Sequence, residues 1–188
     1  MVVENVPAQD DDVTFRHPGI CAERRNVRDW VFAPATDQLM FAVMSPVAKA
    51  AVFEFFRQCA GVQETHFTSL ISPRAFLASN VEVSKACYVE PAVVLSPYSC
   101  LKFGATINRS ASIGHHTEVE PYAMVGPGAH IGGHSHIGRE AVIGIGATVL
   151  DHIRIGNGSI IGGGSVVTKD VPPGVVAYGN PCRVVRDV

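Results

Sequence analysis

Neither sign of charge dominates this chain: 15 Lys and Arg stand against 17 Asp and Glu in 188 residues, a formal net charge of −2. No basic excess is available to neutralise a phosphate backbone, which excludes nucleic acid as an expected partner. Cysteine is scarce and scattered. Cys21, Cys59, Cys87, Cys100 and Cys182 are odd in number and form no CxxC pair, so neither a disulfide framework nor a cysteine zinc knot is expected, and a reducing cytoplasm fits best. Long apolar runs are missing too. No stretch of about 18 apolar residues occurs, and the opening MVVENVPAQDDDVTF lacks a basic segment leading into an apolar one. A soluble, cytoplasmic protein with no membrane partner is the expectation. The GxG pattern at Gly144–Gly146 lacks the strand-then-helix context of a dinucleotide fingerprint.

What is abundant is a period of six. Stepping by six residues from Ile71 to Val167 meets 17 positions, all Ile, Val or Leu. Four residues after most of them stands a small side chain, as at Ala105, Ala111, Thr117, Ala123, Ala129, Ser135, Ala141 and Ala147. A helix repeats near 3.6 residues and an ordinary strand at 2, so neither explains this beat. A parallel β-helix does, with each hexad one short strand plus a bend and three hexads closing an 18-residue triangular coil. The aliphatic residue fills the centre and the small residue sits where walls converge. Thirteen of the chain's 18 glycines lie between Gly114 and Gly164, many directly after a hexad aliphatic, where they are expected to supply tight corner torsions. The fold class is therefore mainly β: a parallel β-helix of about five to six coils over residues 71–170, followed by a tail at 171–188.

Residues 1–70 read differently. QLMFAVM, Gln38 to Met44, reads as a buried strand, and SPVAKAAVFEFFRQCAG as a helix with Ser45 as N-cap, Pro46 at its first position and Gly61 just past its end. Thr65 to Ile71 is a further strand candidate. Together these make a small, truncated α/β unit. No opening strand with a glycine-rich turn is evident in residues 1–37.

The repeats and the ending IIGGGSVVTKDVPPGVVAYGNPCRVVR resemble the left-handed β-helix hexapeptide-repeat acyltransferases over roughly residues 70–185. Left-handedness comes from this resemblance. The α/β unit and the segment INRSASIGHHTEVEPY narrow it to the sugar N- and O-acetyltransferases of the PglD/NeuD type, which act in sialic-acid and bacillosamine pathways. Their N-terminal domain binds a nucleotide sugar, and residues 1–70 look like its second half. The resemblance implies acetyl-CoA as co-substrate, a homotrimer with active sites between subunits, and transfer of acetyl to the amino group of a nucleotide-linked amino sugar. Sugar O-acetylation, or acetylation of serine, maltose or an antibiotic, are the alternatives, with a γ-carbonic-anhydrase-like zinc enzyme as the alternative of another class. A non-catalytic assembly module is another.

By the same resemblance His115 is the general base, Gly133 one coil on supplies a backbone N–H for the oxyanion, Ile145 and Gly163 line the pantetheine track, and Asn108 stands at an acceptor position. An imidazole suits the role because its ordinary pKa, about 6.5, lies near working pH. Where relatives carry a carboxylate after the catalytic histidine, this chain has His116, so His116 is an accessory catalytic candidate, with Glu118 or Asp151 as substitutes for the missing carboxylate. Counting by 18 stacks His115, Gly133 and Asp151 in one column and His116, His134 and His152 in the next, while His136 falls between Glu118 and Arg154. The γ-class carbonic anhydrases use this fold to hold zinc. His116 and His152 keep their 36-residue spacing, but Asn157 stands where a third histidine is needed, so no metal is expected.

Overall fold

The computed structural model describes residues 31–188 together with two short strands, Val2–Glu4 and Arg24–Asn26, which pair in parallel. Neither strand was singled out from the sequence. The remaining calls on residues 1–30 lie outside the described residues.

The six-residue beat appears as 17 two-residue strands from Leu70–Ile71 to Val166–Val167, laid on three parallel walls. Wall one holds Leu70–Ile71, Tyr88–Val89, Thr106–Ile107, Met124–Val125, Val142–Ile143 and Ile160–Ile161; wall two runs from Phe76–Leu77 to Val166–Val167, and wall three from Glu82–Val83 to Arg154–Ile155. Each strand up to Thr148–Val149 pairs with the one 18 residues on, as Ile113 with Ile131 and Val119 with Ile137. The tail continues wall one: Val175–Tyr178 pairs parallel with Ile160–Ile161 and antiparallel with Arg183–Asp187. Inside, the hexad aliphatics form one column of side chains. Leu95, Leu101, Ile107, Ile113, Val119, Val125, Ile137, Ile143 and Ile161 are fully buried, each contributing about 1.5–3 kcal/mol of hydrophobic stabilisation. Ile71, on the first rung, has no coil beneath it and is 41% exposed.

The corners are made otherwise than expected. Residues with left-handed φ stand three places after the aliphatic, and nine among the described residues are not glycine, His116, His134 and His152 included, with φ from 53° to 63°. The glycines directly after the aliphatics serve close packing instead. A Cβ on Gly114 would lie 2.5 Å from the Gly133 nitrogen, and one on Gly144 2.5 Å from that of Gly163. Neighbouring coils touch backbone to backbone there.

Helix α1, Pro46–Ala60, starts where expected: the Ser45 hydroxyl accepts from the Ala48 amide, and Gly61 closes the end in left-handed conformation. The segment 38–44 does not form the expected strand. It makes a single bridge, Leu39 to Phe67, because Phe41 is drawn onto Phe67, Phe103 and Tyr122 at the corner between walls three and one. Thr65–Ile71 likewise splits into a 3₁₀ turn, Glu64–His66, and the first rung. Lys49 pins α1 to the prism, its ammonium donating to the Gly104 carbonyl at 2.9 Å and to the Thr106 hydroxyl. Burial lowers the Lys49 pKa to about 8, an effect that the Cys87 thiol beneath it partly opposes.

Candidate active site

The corner between walls two and three carries the chemistry. After the rung Ser112–Ile113 the chain turns through Gly114, His115 and His116 before Glu118–Val119. The turn is held from inside: the buried Thr117 hydroxyl donates to the Gly132 carbonyl at 2.8 Å, and the Ser135 hydroxyl to Leu150 at 3.0 Å, both one coil on. Ladder bonds tie successive corners, from the His134 amide to the His115 carbonyl at 2.8 Å and from the His152 amide to the Gly133 carbonyl at 2.9 Å. Left-handed φ at each of these histidines costs an L-residue roughly 1–2 kcal/mol. Such fixed pairing offsets it.

With the backbone so ordered, side chains 18 residues apart stack. Tyr98, His116, His134 and His152 form a continuous ring ladder, with centroids at 4.8, 4.7 and 4.9 Å and interplanar angles of 28°, 12° and 2°. Counting by 18 anticipates the three histidines; Tyr98 is the member it passed over, although the same count finds it. His134 is held below the usual histidine pKa, first by loss of solvation and then by the imidazoles of His116, His115 and His152, with the Asp151 carboxylate acting the other way.

His115 stands beside this ladder, exposed, its ring edge-on to His134 at 4.9 Å. Its Nδ1 lies 3.1 Å from the Nδ1 of His116. That contact fills the place where a carboxylate was sought: Glu118 instead pairs with Lys102 at 3.0 Å and lies 3.5 Å from His136, and the Asp151 carboxylate points elsewhere. The other edge of the His115 ring lies over Gly133, where a Cβ would come within 2.8 Å of Nε2. Residues 115 and 133 are thus brought together, as counting by 18 predicts. The Gly133 amide is not free: it donates to Asp151 Oδ1 at 2.6 Å. The sequence placed Asp151 in this column without indicating that bond.

Asn108 follows directly on the wall-one rung Thr106–Ile107. It is 9% exposed, and its side-chain amide donates to the Val125 carbonyl at 2.8 Å, so its NH₂ group is engaged within the wall. Ile145, 64% exposed, and Gly163 adjoin one another on the corner between walls one and two. This corner and the histidine corner flank wall two. Asn157 lies on the third corner, its Oδ1 accepting from the Arg139 amide, remote in the coil from His116 and His152. The spacing that resembled a carbonic anhydrase therefore builds no such triad. Instead His115, His116 and His134 converge, their nearest ring nitrogens all within 4.8 Å of one another. Two cavities lie elsewhere, one of about 380 Å³ between Met40–Met44, Lys49 and Tyr88, the other of about 500 Å³ along Arg154, Asp170 and Pro172. Neither includes His115, which is exposed at its corner. No helix among the described residues is long and apolar enough to cross a membrane.

A three-walled prism of six-residue rungs defines a mainly β, parallel β-helix, consistent with the left-handed form. In agreement, the profile of the bacterial transferase hexapeptide family (six repeats) matches residues 134–169. Among solved structures, the chain is similar to perosamine N-acetyltransferase from Caulobacter crescentus, solved with CoA and GDP-perosamine in a form with one histidine replaced by asparagine; the two are 25% identical with a TM-score of 0.74, over 80% of this chain and 70% of that one. It is similar to the acetyltransferase domain of PglB from Neisseria gonorrhoeae in complex with acetyl coenzyme A, at 27% identity and a TM-score of 0.75 over 82% and 73% of the chains. WeeI from Acinetobacter baumannii is 28% identical, with a TM-score of 0.72 over 81% and 73%. No curated protein matches the sequence significantly.

Proposed function

We propose that this protein is an acetyl-CoA-dependent acetyltransferase that acylates the amino group of a nucleotide-linked amino sugar. The observation that carries the reading is the exposed His115 imidazole lying over a glycine of the next coil, with Nδ1 against His116, in a fold whose solved relatives hold CoA and a nucleotide sugar. If the Nδ1 proton of His115 is donated to His116, Nε2 keeps its lone pair on the side of Gly133. From there it removes a proton from the acceptor nitrogen as that nitrogen attacks the thioester carbonyl, and CoA leaves as the thiol. Such a base contributes about 10²- to 10⁴-fold.

The Gly133 amide is the donor proposed for the developing oxyanion. The Asp151 oxygen that it now binds at 2.6 Å marks where an anionic oxygen is accepted, so the thioester oxygen displaces it. Ile145 and Gly163 are proposed to line the pantetheine arm, and Asn108 to shape the acceptor side of the wall rather than to donate its engaged amide. The working unit is a cytoplasmic homotrimer. Wall two exposes Phe76 and Val94, 63% and 41% accessible, and the two candidate corners flank it, so a neighbouring copy covers apolar surface and closes an otherwise open site. Residues 1–70 are proposed to form the acceptor-binding unit, 71–170 the catalytic prism and 171–188 its closing tail.

The test is thiol release from acetyl-CoA against a panel of nucleotide-linked amino sugars. His115→Ala should abolish transfer, by at least about 100-fold, while leaving acetyl-CoA affinity unchanged; a variant with full activity refutes the assignment.

A further inference from the structure

The prism brings together more imidazoles at one corner than general-base catalysis uses. His115 and His116 come from one coil and His134 from the next; all three are exposed, and their nearest ring nitrogens lie within 4.8 Å of one another. We propose that His115, His116 and His134 form a binding site for one borderline divalent transition-metal ion, zinc foremost.

In a tetrahedral zinc site with Zn–N bonds of about 2.0–2.1 Å, neighbouring nitrogens stand roughly 3.3 Å apart. The Nδ1 atoms of His115 and His116, at 3.1 Å, already meet that spacing. The remaining gap to His134 closes by turning exposed rings, without moving the backbone that the corner ladder bonds hold. His152 lies flat on the far side of His134, at 4.9 Å and 2°, and backs that ring without joining the cluster. The Asp151 carboxylate, bound to the Gly133 amide in the same column, supplies negative charge beside the ion. An all-imidazole set selects zinc, copper, nickel or cobalt over magnesium and calcium, which take oxygen ligands. A second group, Glu118, Glu120 and His136, also converges. There Lys102 already occupies Glu118 at 3.0 Å, and two of the three donors are carboxylates, so it is the weaker claimant for the same ion.

One consequence rests on the acetyltransferase reading: a coordinated His115 has no free lone pair for the acceptor proton, so bound zinc and acetyl transfer exclude each other. The binding itself does not rest on that reading, and its test involves no turnover. The dialysed full-length protein is titrated with Co²⁺, whose visible d–d absorption reports tetrahedral coordination, and then with Zn²⁺ in competition. Wild type should take up one ion per chain. His134→Asn, whose side chain suits the left-handed backbone there, should weaken binding by more than about 100-fold, beyond what loss of a mere supporting contact costs. His152→Asn and Glu120→Gln should leave it within about threefold, a contrast that separates ligands from supports and from the second cluster. Absence of stoichiometric uptake, undiminished affinity in His134→Asn, or loss in Glu120→Gln overturns the site, and any of these leaves the acetyltransferase reading standing.

Discussion

Replacing Gly133 by alanine tests the catalytic geometry where an added methyl would meet the His115 ring. The added methyl would meet His115 at Nε2, Cε1 and Cδ2, at 2.8, 3.0 and 3.2 Å, the first closer than real Cβ contacts come and the others tight. All three are atoms of one exposed ring, and Gly133 does not have left-handed φ, so no backbone need move. The contrast is Gly114, where the same methyl would strike backbone at 2.5 Å. In Gly133→Ala the imidazole gives way by roughly an ångström, and the fold should lose less than about 1 kcal/mol, within the range of ordinary surface changes. A displacement of that size at a reacting group costs on the order of 100-fold. Thiol-release kinetics should therefore show kcat down by about two orders of magnitude, with the midpoint of thermal unfolding nearly unchanged. A variant with wild-type kcat would mean that the edge of His115 facing Gly133 is not where the proton is taken. Loss of kcat together with a collapse in stability would mean that the glycine is structural.

His116→Asp supplies the carboxylate that the sequence resemblance leads one to expect after His115 and should retain most activity. An anion beside the imidazole favours its charged form, so the acid limb of the pH–rate profile should move to higher pH; His116→Ala should instead lower kcat by about tenfold, and equal profiles for wild type and Asp variant would remove His116 from the mechanism. Lys49 gives a prediction about stability. Its folded pKa of about 8 lies below the ordinary lysine value of 10.5, so between these values the unfolded chain holds more protons and stability rises with pH. The gain is about 3 kcal/mol at most and is complete only above the unfolded pKa; below pH 8 the cost of the buried charge is constant. Urea unfolding of wild type and Lys49→Met at pH 7 and 9.5 should show the rise in wild type alone. The Cys87 thiol, pushed up to about 12 mainly by burial, gives the opposite slope above about pH 9 in both proteins. Parallel pH curves for the two proteins would refute the account.

The solenoid was legible because its rule is stated in side chains. An aliphatic every six residues and a small residue four places later specify two inward positions per rung, and Ile113, Val119 and Val125 are fully buried as that rule requires. The corner torsions were not legible, because a left-handed φ at His116, His134 or His152 is fixed by bonds to the adjoining coil, and the modest enrichment of histidine in that region is too weak a signal to announce it. Apolar Gln38–Met44 failed as a strand for a related reason: without a partner ladder beyond Leu39, its aromatic anchor Phe41 decides the path. At the site, the count of 18 set His115 over Gly133 and stacked the histidines, yet it could not say how their polar atoms divide. That division is where the chemistry is set. The Gly133 amide takes Asp151, Asn108 turns into the wall, and the contact left to His115 is a second imidazole. A carboxylate in that position could only accept a hydrogen bond from His115, whereas the His116 imidazole can accept or donate one through Nδ1, and the His116→Asp profile separates the two designs.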